Sequence, residues 1–374
     1  MIYFDNAATG GFKIRAVTDA AETVIKYLSA NPGRSGHRLS ITGAETVYST
    51  RTIIAEHFSC SPDRVIFTKN CTEALNVAIF GAVKKGSHVI TTVFEHNSVL
   101  RPLYHLKNQG AITLDVVSPD KNGTFFSAVK SRLRPETELI VMTAISNVTG
   151  AITDYKKVLD LASLNGVHVL IDGAQGGGHV PLKVREYGIS FLALAGHKGL
   201  GGIMGSGVLI LNDDVDLSPL ILGGTGSESY NLSQPSCYPE RLESGTLNLP
   251  AIAALGEGVK FTMENLKSFS EHLLSYTKHM IDGLNKMPNV TVYSTPNPAG
   301  IVSFSVGGKE SGDVADILNS NYDVAVRGGL HCAPLTHKFL GTDGSGLVRA
   351  SLAVQNGTRE INYFLRAVNT IASN

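Results

Sequence analysis

The chain has 374 residues, and its 32 Lys and Arg side chains balance 32 Asp and Glu side chains, so the formal net charge is zero. This neutrality argues against nucleic acid or an anionic membrane as a partner, because proteins that bind polyanions usually carry excess basic residues. No apolar run approaches the ~18 residues that span a bilayer, and the first residues show no basic and apolar export signal. We therefore expect a cytoplasmic protein of about two domains with no membrane partner.

Apolar, β-branched runs alternate with amphipathic stretches between residues 64 and 212. Continuous apolar strands separated by helices are typical of a mostly parallel sheet that helices cover on both faces. In such sheets, ligands bind just beyond the carboxyl ends of the strands. The predicted strands are 65–68, 88–93, 112–117, 139–146, 168–172, 191–195 and 208–211, and the predicted helices include 72–83, 99–107 and 155–165.

A loop rich in Gly, Ser and Pro covers residues 223–239, and the pattern of the chain changes after it. A long helix is predicted from residue 251 to about residue 286. We therefore predict a large domain over residues 15–250 and a smaller α/β domain formed by residues 1–14 and 251–374, with the long helix as the connection. The elements predicted in the smaller domain are strands 301–306, 324–327 and 347–354 and helices 313–319 and 359–371.

Two polar residues follow apolar strands in the middle of the chain. Asp172 ends the run HVLID, where a carboxylate is costly to bury unless it is paired. Lys198 follows the run FLALA, and a lysine there can be a phosphate ligand, a Schiff-base nucleophile or a solvated cation. Neither GxxxxGK[ST] nor a GxGxxG turn after the first strand occurs, so the common nucleotide-binding motifs are absent. Together the two residues suit pyridoxal phosphate, whose aldehyde needs a lysine and whose ring nitrogen needs a carboxylate.

Several motifs spread along the chain support this interpretation. They include YFDNAAT at residues 3–9, IDGAQ at 171–175, GHK at 196–198 and SLAVQNGTREI at 351–361. With them the sequence resembles the class V aminotransferase family of fold-type I pyridoxal-phosphate enzymes, and within it the SUF-type (group II) cysteine desulfurases and selenocysteine lyases. The resemblance implies an α/β fold with a mostly parallel seven-stranded sheet in the large domain and a smaller C-terminal α/β domain. It also implies pyridoxal 5'-phosphate as cofactor and a homodimer with shared active sites.

By this resemblance, each motif contributes one residue to the cofactor or the substrate. Lys198 is the lysine that binds the cofactor and moves the proton of the substrate Cα. Asp172 is the partner of the ring nitrogen, and Gln175 binds the ring hydroxyl. His96, in FEHNS, stacks on the ring, and Asn147, in ISNVTG, lies near the substrate and the ring hydroxyl. Outside these motifs, His96 would be interpreted as a structural residue and Asn147 as a turn residue.

The cofactor phosphate is expected where FTKNCTEALN opens a helix, because free N–H groups and the helix dipole favour an anion there. Cys71 and Thr72 occupy the cradle positions, and His197 contributes from the lysine loop. The resemblance implies that Gly245 and Thr246, in RLESGTLN, reach the phosphate of the partner subunit.

The chain departs from the family pattern at the phosphate site. Asn70 and Cys71 stand where the family has Gly and Thr, and Ala195 stands where it has Ser. The changes at Cys71 and Ala195 each remove a hydroxyl donor, which lowers the expected affinity for the phosphate unless another group substitutes. The polar segment GTDGSG at residues 341–346 is a further departure, and it borders the region where a sulfur acceptor would dock.

Four cysteines are scattered along the chain without a CxxC pair, so neither a metal site nor a disulfide is predicted. Cys60 and Cys237 are interpreted as small, largely structural residues. Cys332 differs because Arg327 and His331 lie near it in VAVRGGLHCAPL, and nearby cations favour a reactive thiolate. The segment resembles the RxGxHCA motif of the SUF-type enzymes, whose cysteine takes the substrate sulfur as a persulfide.

Four residues are predicted to bind the substrate besides Asn147. Arg349, in an otherwise apolar strand, is expected to hold the substrate α-carboxylate as a bidentate fork. Arg327 adds positive charge, and Arg34 and His37 match an N-terminal motif, GRSGH, that lines the site in the family.

The sequence thus predicts a cysteine desulfurase that converts L-cysteine to L-alanine, holds the sulfur on Cys332 and passes it to an acceptor. Iron–sulfur cluster assembly, thiolation of RNA and selenium handling remain open as the pathway served. A selenocysteine lyase acting on L-selenocysteine and another class V aminotransferase without persulfide chemistry remain as alternatives. A cofactor-binding scaffold without turnover is a third alternative, which the presence of Lys198, Asp172, Arg349 and Cys332 together disfavours.

Overall fold

The computed structural model describes residues 1–373, which build three sheets of seven, three and two strands with their surrounding helices. The strands are β1 (Ile2–Tyr3), β2 (Val65–Thr68), β3 (His88–Thr92), β4 (Thr113–Val117), β5 (Thr137–Thr143), β6 (His168–Asp172), β7 (Phe191–Ala195), β8 (Gly207–Leu211), β9 (Val290–Val292), β10 (Ile301–Val306), β11 (Val324–Ala325) and β12 (Val348–Ser351). The helices are α1 (Arg15–Tyr27), α2 (Arg38–Phe58), α3 (Cys71–Ala82), α4 (Asn97–Asn108), α5 (Phe126–Arg132), α6 (Tyr155–Leu164), α7 (Val184–Tyr187), α8 (Leu249–Glu264), α9 (Leu266–Leu284), α10 (Ser311–Tyr322), α11 (Pro334–Leu340) and α12 (Thr358–Ser373).

The large sheet has seven strands in the order β2-β8-β7-β6-β5-β3-β4. All of them run parallel except β8, which is antiparallel to both of its neighbours. The predicted mostly parallel, seven-stranded sheet is therefore confirmed. The carboxyl ends of β3, β5, β6 and β7 meet at one edge, and the residues that follow these strands are brought together there.

Both faces of the large sheet are buried, as a parallel sheet between helices requires. Alternate residues of a strand point to opposite faces, and β5 shows this directly. Ile140 and Met142 belong to one apolar core, while Leu139 and Val141 belong to a second core on the other face. This burial on both faces explains why the strands are continuous apolar runs, which can be recognised in the sequence.

The single long helix predicted from residue 251 to about 286 is in fact two helices, α8 and α9, which are divided at Asn265. The backbone of Asn265 leaves the helical conformation, and its N–H caps the carbonyl groups of Thr262 and Met263. Apolar residues of α8 such as Leu255 join the core of the large domain, whereas Met280 of α9 joins that of the small domain. The two helices thus pack against different cores, one on each side of Asn265.

The small domain has an antiparallel sheet in the order β12-β10-β9, packed against α9, α10 and α12. The N-terminus joins it, because β1 pairs with β11 and Phe4 packs edge-on against Phe364 at 5.6 Å between ring centroids. The residues after Phe4 then cross to the large sheet. No helix within residues 1–373 is long and apolar enough to cross a membrane.

Candidate active site

A cavity of about 220 Å³, here called the central cavity, opens at the carboxyl ends of the large-sheet strands. Its wall includes residues from both domains and from the N-terminal segment. Ten of the residues predicted from sequence line it together, which are Cys71, Thr72, His96, Asn147, Asp172, Gln175, His197, Lys198, Arg327 and Arg349. The positions of the individual side chains determine what the cavity can bind.

Lys198 lies in the turn after β7, half-buried at the cavity wall. Glycine is required around it, since a Cβ on Gly199 would come 2.4 Å from the carbonyl oxygen of Gly177. Burial lowers the pKa of Lys198, although Cys71 and Asp172 oppose this effect. A lysine with a lowered pKa carries more neutral amine at physiological pH, and the neutral amine is the form that attacks an aldehyde.

Asp172, the last residue of β6, is 3% exposed. Its Oδ1 accepts hydrogen bonds from the N–H of Ala174 at 2.9 Å and from the thiol of Cys71 at 3.7 Å. In the part of the chain that the structure describes, no donor reaches Oδ2 and no cationic side chain lies within 4 Å of the carboxyl. Burial raises the pKa of Asp172, while Lys198 lowers it. A buried carboxyl with one free oxygen and no cation suits a protonated ring nitrogen, which would supply the missing charge.

His96 caps the N-terminus of α4 and lines the central cavity. Its Nδ1 accepts a hydrogen bond from the backbone N–H of Ser98 at 3.0 Å, so the ring proton is on Nε2. Burial, with a further contribution from Lys198, lowers the pKa of His96 to about 4. The imidazole is therefore neutral at physiological pH, and a neutral aromatic ring is suited to stacking on a cofactor ring.

The predicted phosphate cradle lies at the N-terminus of α3, where Asn70 caps the helix by accepting from the N–H of Glu73 at 2.9 Å. Thr72 is exposed to the cavity, and its hydroxyl lies 2.8 Å from that of Ser98. Ser98 was not predicted from sequence, although it stands two residues after His96. It places a second hydroxyl at a cradle where Cys71 offers only a buried thiol. These N–H groups and hydroxyls fit a phosphate group.

Arg349 is the largest fully buried side chain, at 1% exposure. Its Nη1 donates to the carbonyl oxygen of Asn147 at 3.0 Å, and its Nη2 donates to Asp5 Oδ1 at 3.1 Å. Its Nε is buried without an acceptor in the described part of the chain. Arg349 also lines the central cavity, and each Nη carries a second N–H, so a small carboxylate there can accept from the guanidinium. Asp5 was missed as a partner of Arg349, although it stands inside the quoted motif YFDNAAT.

Cys332 lies at the rim of the central cavity, immediately after the lining residue His331. Both residues adopt left-handed backbone conformations, with φ of 50° and 57°. The carbonyl oxygen of Cys332 accepts from the N–H of Asn97 at 2.7 Å, and that of His331 accepts from the side-chain amide of Asn147 at 2.8 Å. The thiol itself is exposed, 3.9 Å from Nη2 of Arg327. A fixed backbone thus presents a free sulfur beside the cavity.

Gln175 and His197 connect the cavity wall to the N-terminal segment. The side-chain amide of Gln175 donates to the carbonyl oxygen of Ala7 at 2.9 Å, and its second N–H remains available. His197 Nδ1 lies 3.1 Å from the hydroxyl of Thr9, and burial lowers its pKa to about 4. His197 is therefore neutral at physiological pH and can meet an anion only as a hydrogen-bond donor.

Besides Cys332 at the rim, four predicted site residues lie away from the central cavity of a single chain. His37 caps α2 by accepting from the N–H of Ser40 at 3.3 Å, and Arg34 donates to the carbonyl oxygen of Gly224 at 3.1 Å. Gly245 lies with Arg34 along a separate cleft, and Thr246 lines a neighbouring one. A role for these residues in a site shared between subunits stays a prediction. No group of three or more His, Cys, Asp or Glu side chains within residues 1–373 is placed to hold a metal ion.

Comparison with known proteins agrees with this geometry. The family model for class V aminotransferases matches residues 2–364, and the chain belongs to that family. A protein named "Probable cysteine desulfurase" from Pyrococcus abyssi is 32% identical, over 98% of this chain and 92% of the relative. A "Probable cysteine desulfurase" from Methanothermobacter thermautotrophicus is 30% identical, over 99% and 94%.

A solved structure gives the same result at the level of the fold. The apo structure of a cysteine desulfurase from Thermococcus onnurineus NA1 superimposes with a TM-score of 0.93 and 30% identity, over 100% of this chain and 94% of that one. The predicted fold-type I architecture is confirmed. Enzymes of this family use pyridoxal phosphate, and Lys198, Asp172 and the α3 N-terminus of this chain fit that cofactor.

Proposed function

We propose that this protein is a pyridoxal-phosphate-dependent cysteine desulfurase that converts L-cysteine to L-alanine. The observation that carries the proposal is the position of Cys332. Hydrogen bonds to the backbone carbonyls of Cys332 and His331 hold this segment at the rim of the cavity that contains Lys198 and Asp172, so its free thiol lies beside them. The names of the relatives from Pyrococcus and Methanothermobacter support the same activity.

Different residues of the chain would bind the cofactor and the substrate. Lys198 and Asp172 would hold the cofactor at its aldehyde and its ring nitrogen, and Thr72 with the α3 N-terminus would hold its phosphate. When bound, pyridoxal phosphate binds the substrate amine and withdraws electron density from the Cα carbon. Arg349, which lines the cavity, binds the substrate carboxylate through its guanidinium. Lys198 takes the proton from the substrate Cα.

Sulfur transfer needs no external oxidant. The Cys332 thiolate attacks the substrate sulfur, so that an S–S bond forms while the bond between Cβ and sulfur breaks. The electrons of the broken bond stay on the carbon fragment, which takes up protons and leaves as alanine. L-cysteine and one protein thiol thus give L-alanine and one protein persulfide. Arg327, 3.9 Å from Sγ, supplies positive charge beside the attacking sulfur.

Activity on L-cysteine is tested by supplying the purified, cofactor-loaded protein with the amino acid. Without a reductant we expect release of about one alanine per subunit, because the persulfide stays on the enzyme. A thiol reductant should convert this burst into steady turnover with equal amounts of alanine and sulfide. L-selenocysteine in a parallel assay tests the lyase alternative. Absence of alanine from L-cysteine, with release from L-selenocysteine alone, would make the protein a selenocysteine lyase.

The substrate carboxylate site is tested by Arg349→Lys. A lysine keeps the charge but loses the planar fork, so we expect the KM for L-cysteine to rise roughly tenfold to a hundredfold, with a smaller change in kcat. Arg359→Lys is the matched control, because Arg359 is exposed at the start of α12. An unchanged KM in Arg349→Lys would exclude Arg349 as the carboxylate ligand.

The proposal also concerns the oligomeric state of the protein and its role in the cell. A homodimer would bring Gly245 and Thr246 of one subunit towards the phosphate of the other, which is consistent with their position outside the central cavity of a single chain. We propose a cytoplasmic homodimer that delivers sulfur from Cys332 to an acceptor protein, with iron–sulfur cluster assembly as the pathway. Equilibrium sedimentation at low protein concentration tests the dimer.

A further inference from the structure

Glu95, the residue before His96, is a buried carboxyl group that the proposed reaction does not use. It is 0% exposed. Its Oε1 accepts hydrogen bonds from the hydroxyl of Thr92 at 2.6 Å and from the backbone N–H of Thr143 at 3.0 Å. Its Oε2 is buried without a partner in the described part of the chain. Glu95 therefore joins the carboxyl ends of β3 and β5 beneath the central cavity.

The surroundings of Glu95 do not favour a negative charge. No Lys, Arg or His side chain within residues 1–373 comes within 4 Å of its carboxyl group. The titratable groups around it are Asp172 on β6, whose register partner is Thr143 of β5, and His96 in its own turn. Lys198, after β7, lines the same cavity but does not pair with it. An ionised Glu95 would be an unpaired buried charge next to a second carboxylate.

Burial raises the pKa of Glu95 to about 8, and the charge of Asp172 raises it further, while the bonds from Thr92 and Thr143 lower it. At neutral pH the carboxyl group is thus mostly protonated. Its bonds to Thr92 and Thr143 tie the turn that carries His96 to the end of β5, and both His96 and Thr143 line the central cavity. A neutral Glu95 thus adds no second negative charge beside Asp172 beneath the cavity.

We propose that Glu95 is a positioning residue that acts as a neutral carboxylic acid. It fixes His96 and Thr143 at the cavity wall and leaves Asp172 as the carboxylate that faces the cofactor. This inference rests on the proposed function for the identity of the cofactor. The neutral state of Glu95 is a property of the chain alone, so it can be tested without any turnover.

The first test compares the thermal unfolding of the apo-protein with that of Glu95→Gln between about pH 5 and about pH 9. The native carboxyl keeps its proton up to about pH 8, whereas the unfolded one releases it near its ordinary value of 4.5. The proton therefore stabilises the native state at low pH, and this contribution is lost as pH rises to about 8. We expect the stability of the wild type relative to Glu95→Gln to fall up to about pH 8 and then to level off. Parallel curves over the whole range would overturn the proposal.

The second test measures the dissociation constant of pyridoxal phosphate by absorbance titration of the apo-protein. At pH 7, Glu95→Gln should bind the cofactor like the wild type, because the amide reproduces the neutral acid. Above pH 8 the affinity of the wild type should diverge from that of Glu95→Gln, since only the wild type then gains a second negative charge beside Asp172. Glu95→Ala should bind about tenfold more weakly at all pH values, because the N–H of Thr143 loses its acceptor.

Glu136→Gln is the matched control, since Glu136 is exposed just before β5, at the opposite end of the strand from Thr143. The pH dependence of its thermal unfolding and its affinity for pyridoxal phosphate should both match those of the wild type. Equal cofactor affinity of Glu95→Ala and the wild type would overturn the positioning role. Weak cofactor binding by Glu95→Gln at pH 7 would show that the charged form is needed. If the wild type binds no pyridoxal phosphate, the proposed cofactor is wrong. The unfolding test uses the apo-protein, so its result on the charge of Glu95 does not depend on the cofactor.

Discussion

Replacing Cys332 with alanine is expected to reduce the release of alanine from L-cysteine by about a hundredfold or more, because the attacking sulfur is removed. Cofactor binding should be unchanged, since the thiol is exposed at the rim and touches none of the predicted cofactor ligands. Alanine release is measured with and without a reductant, and the cofactor absorbance is recorded for each protein. The persulfide is located by mass spectrometry after brief exposure to L-cysteine.

Two other cysteines serve as matched controls for Cys332. Cys237 is exposed as well, so Cys237→Ala tests whether any accessible thiol accepts sulfur. Cys60 is partly buried, and burial raises its pKa to about 12, which leaves almost no thiolate at physiological pH. Both variants should keep wild-type turnover. A Cys332→Ala variant that releases alanine at the wild-type rate would refute persulfide formation on Cys332.

Replacing Lys198 with alanine is expected to abolish covalent cofactor binding and to lower turnover by about a thousandfold or more. In the proposed reaction the lysine is the nucleophile towards the cofactor aldehyde and also the base for the substrate Cα proton. Reduction with borohydride followed by peptide mapping should label Lys198 in the wild type and leave Lys198→Ala unlabelled. Methylamine should restore part of the activity if the amine acts as a base.

Lys13 provides the matched control for this experiment. It is half-buried in the same region, its Nζ lies 3.4 Å from the carbonyl oxygen of His197, and burial lowers its pKa as it lowers that of Lys198. A lowered pKa alone therefore does not distinguish the two lysines. Lys13→Gln should retain the covalent label on Lys198. Labelling of Lys13 in the wild type would show that the cofactor binds elsewhere.

Much of the large domain was predictable because its strands are buried on both faces. The predicted strands 168–172 and 191–195 coincide with β6 and β7, and the chemically important Asp172 and Lys198 follow from where these runs end. The predicted strand 139–146 was displaced, since β5 begins at Thr137 and ends at Thr143. Beyond Thr143 the chain stays apolar but turns to form a separate bridge between Ile145 and Ile152. Apolar composition alone does not show that change of direction.

The smaller domain was less predictable, because its helices and strands depend on partners distant in sequence. The helical pattern from residue 251 to 286 is continuous in composition, and only packing against two different cores separates α8 from α9 at Asn265. The two-residue strand β1 has no sequence pattern of its own and exists because it pairs with β11.

The sequence by itself predicted most of the candidate site residues, because the ends of buried strands and the motifs around Lys198 and Cys332 are local features. The tertiary structure alone decided their partners. Asp5 meets Arg349 across 344 positions, and Asn147 holds the carbonyl of His331 across 184. The charge of Glu95 depends in the same way on burial and on Asp172 nearby. Hydrogen bonding and desolvation act between groups that are close in space, so these partners cannot be read from the order of residues along the chain.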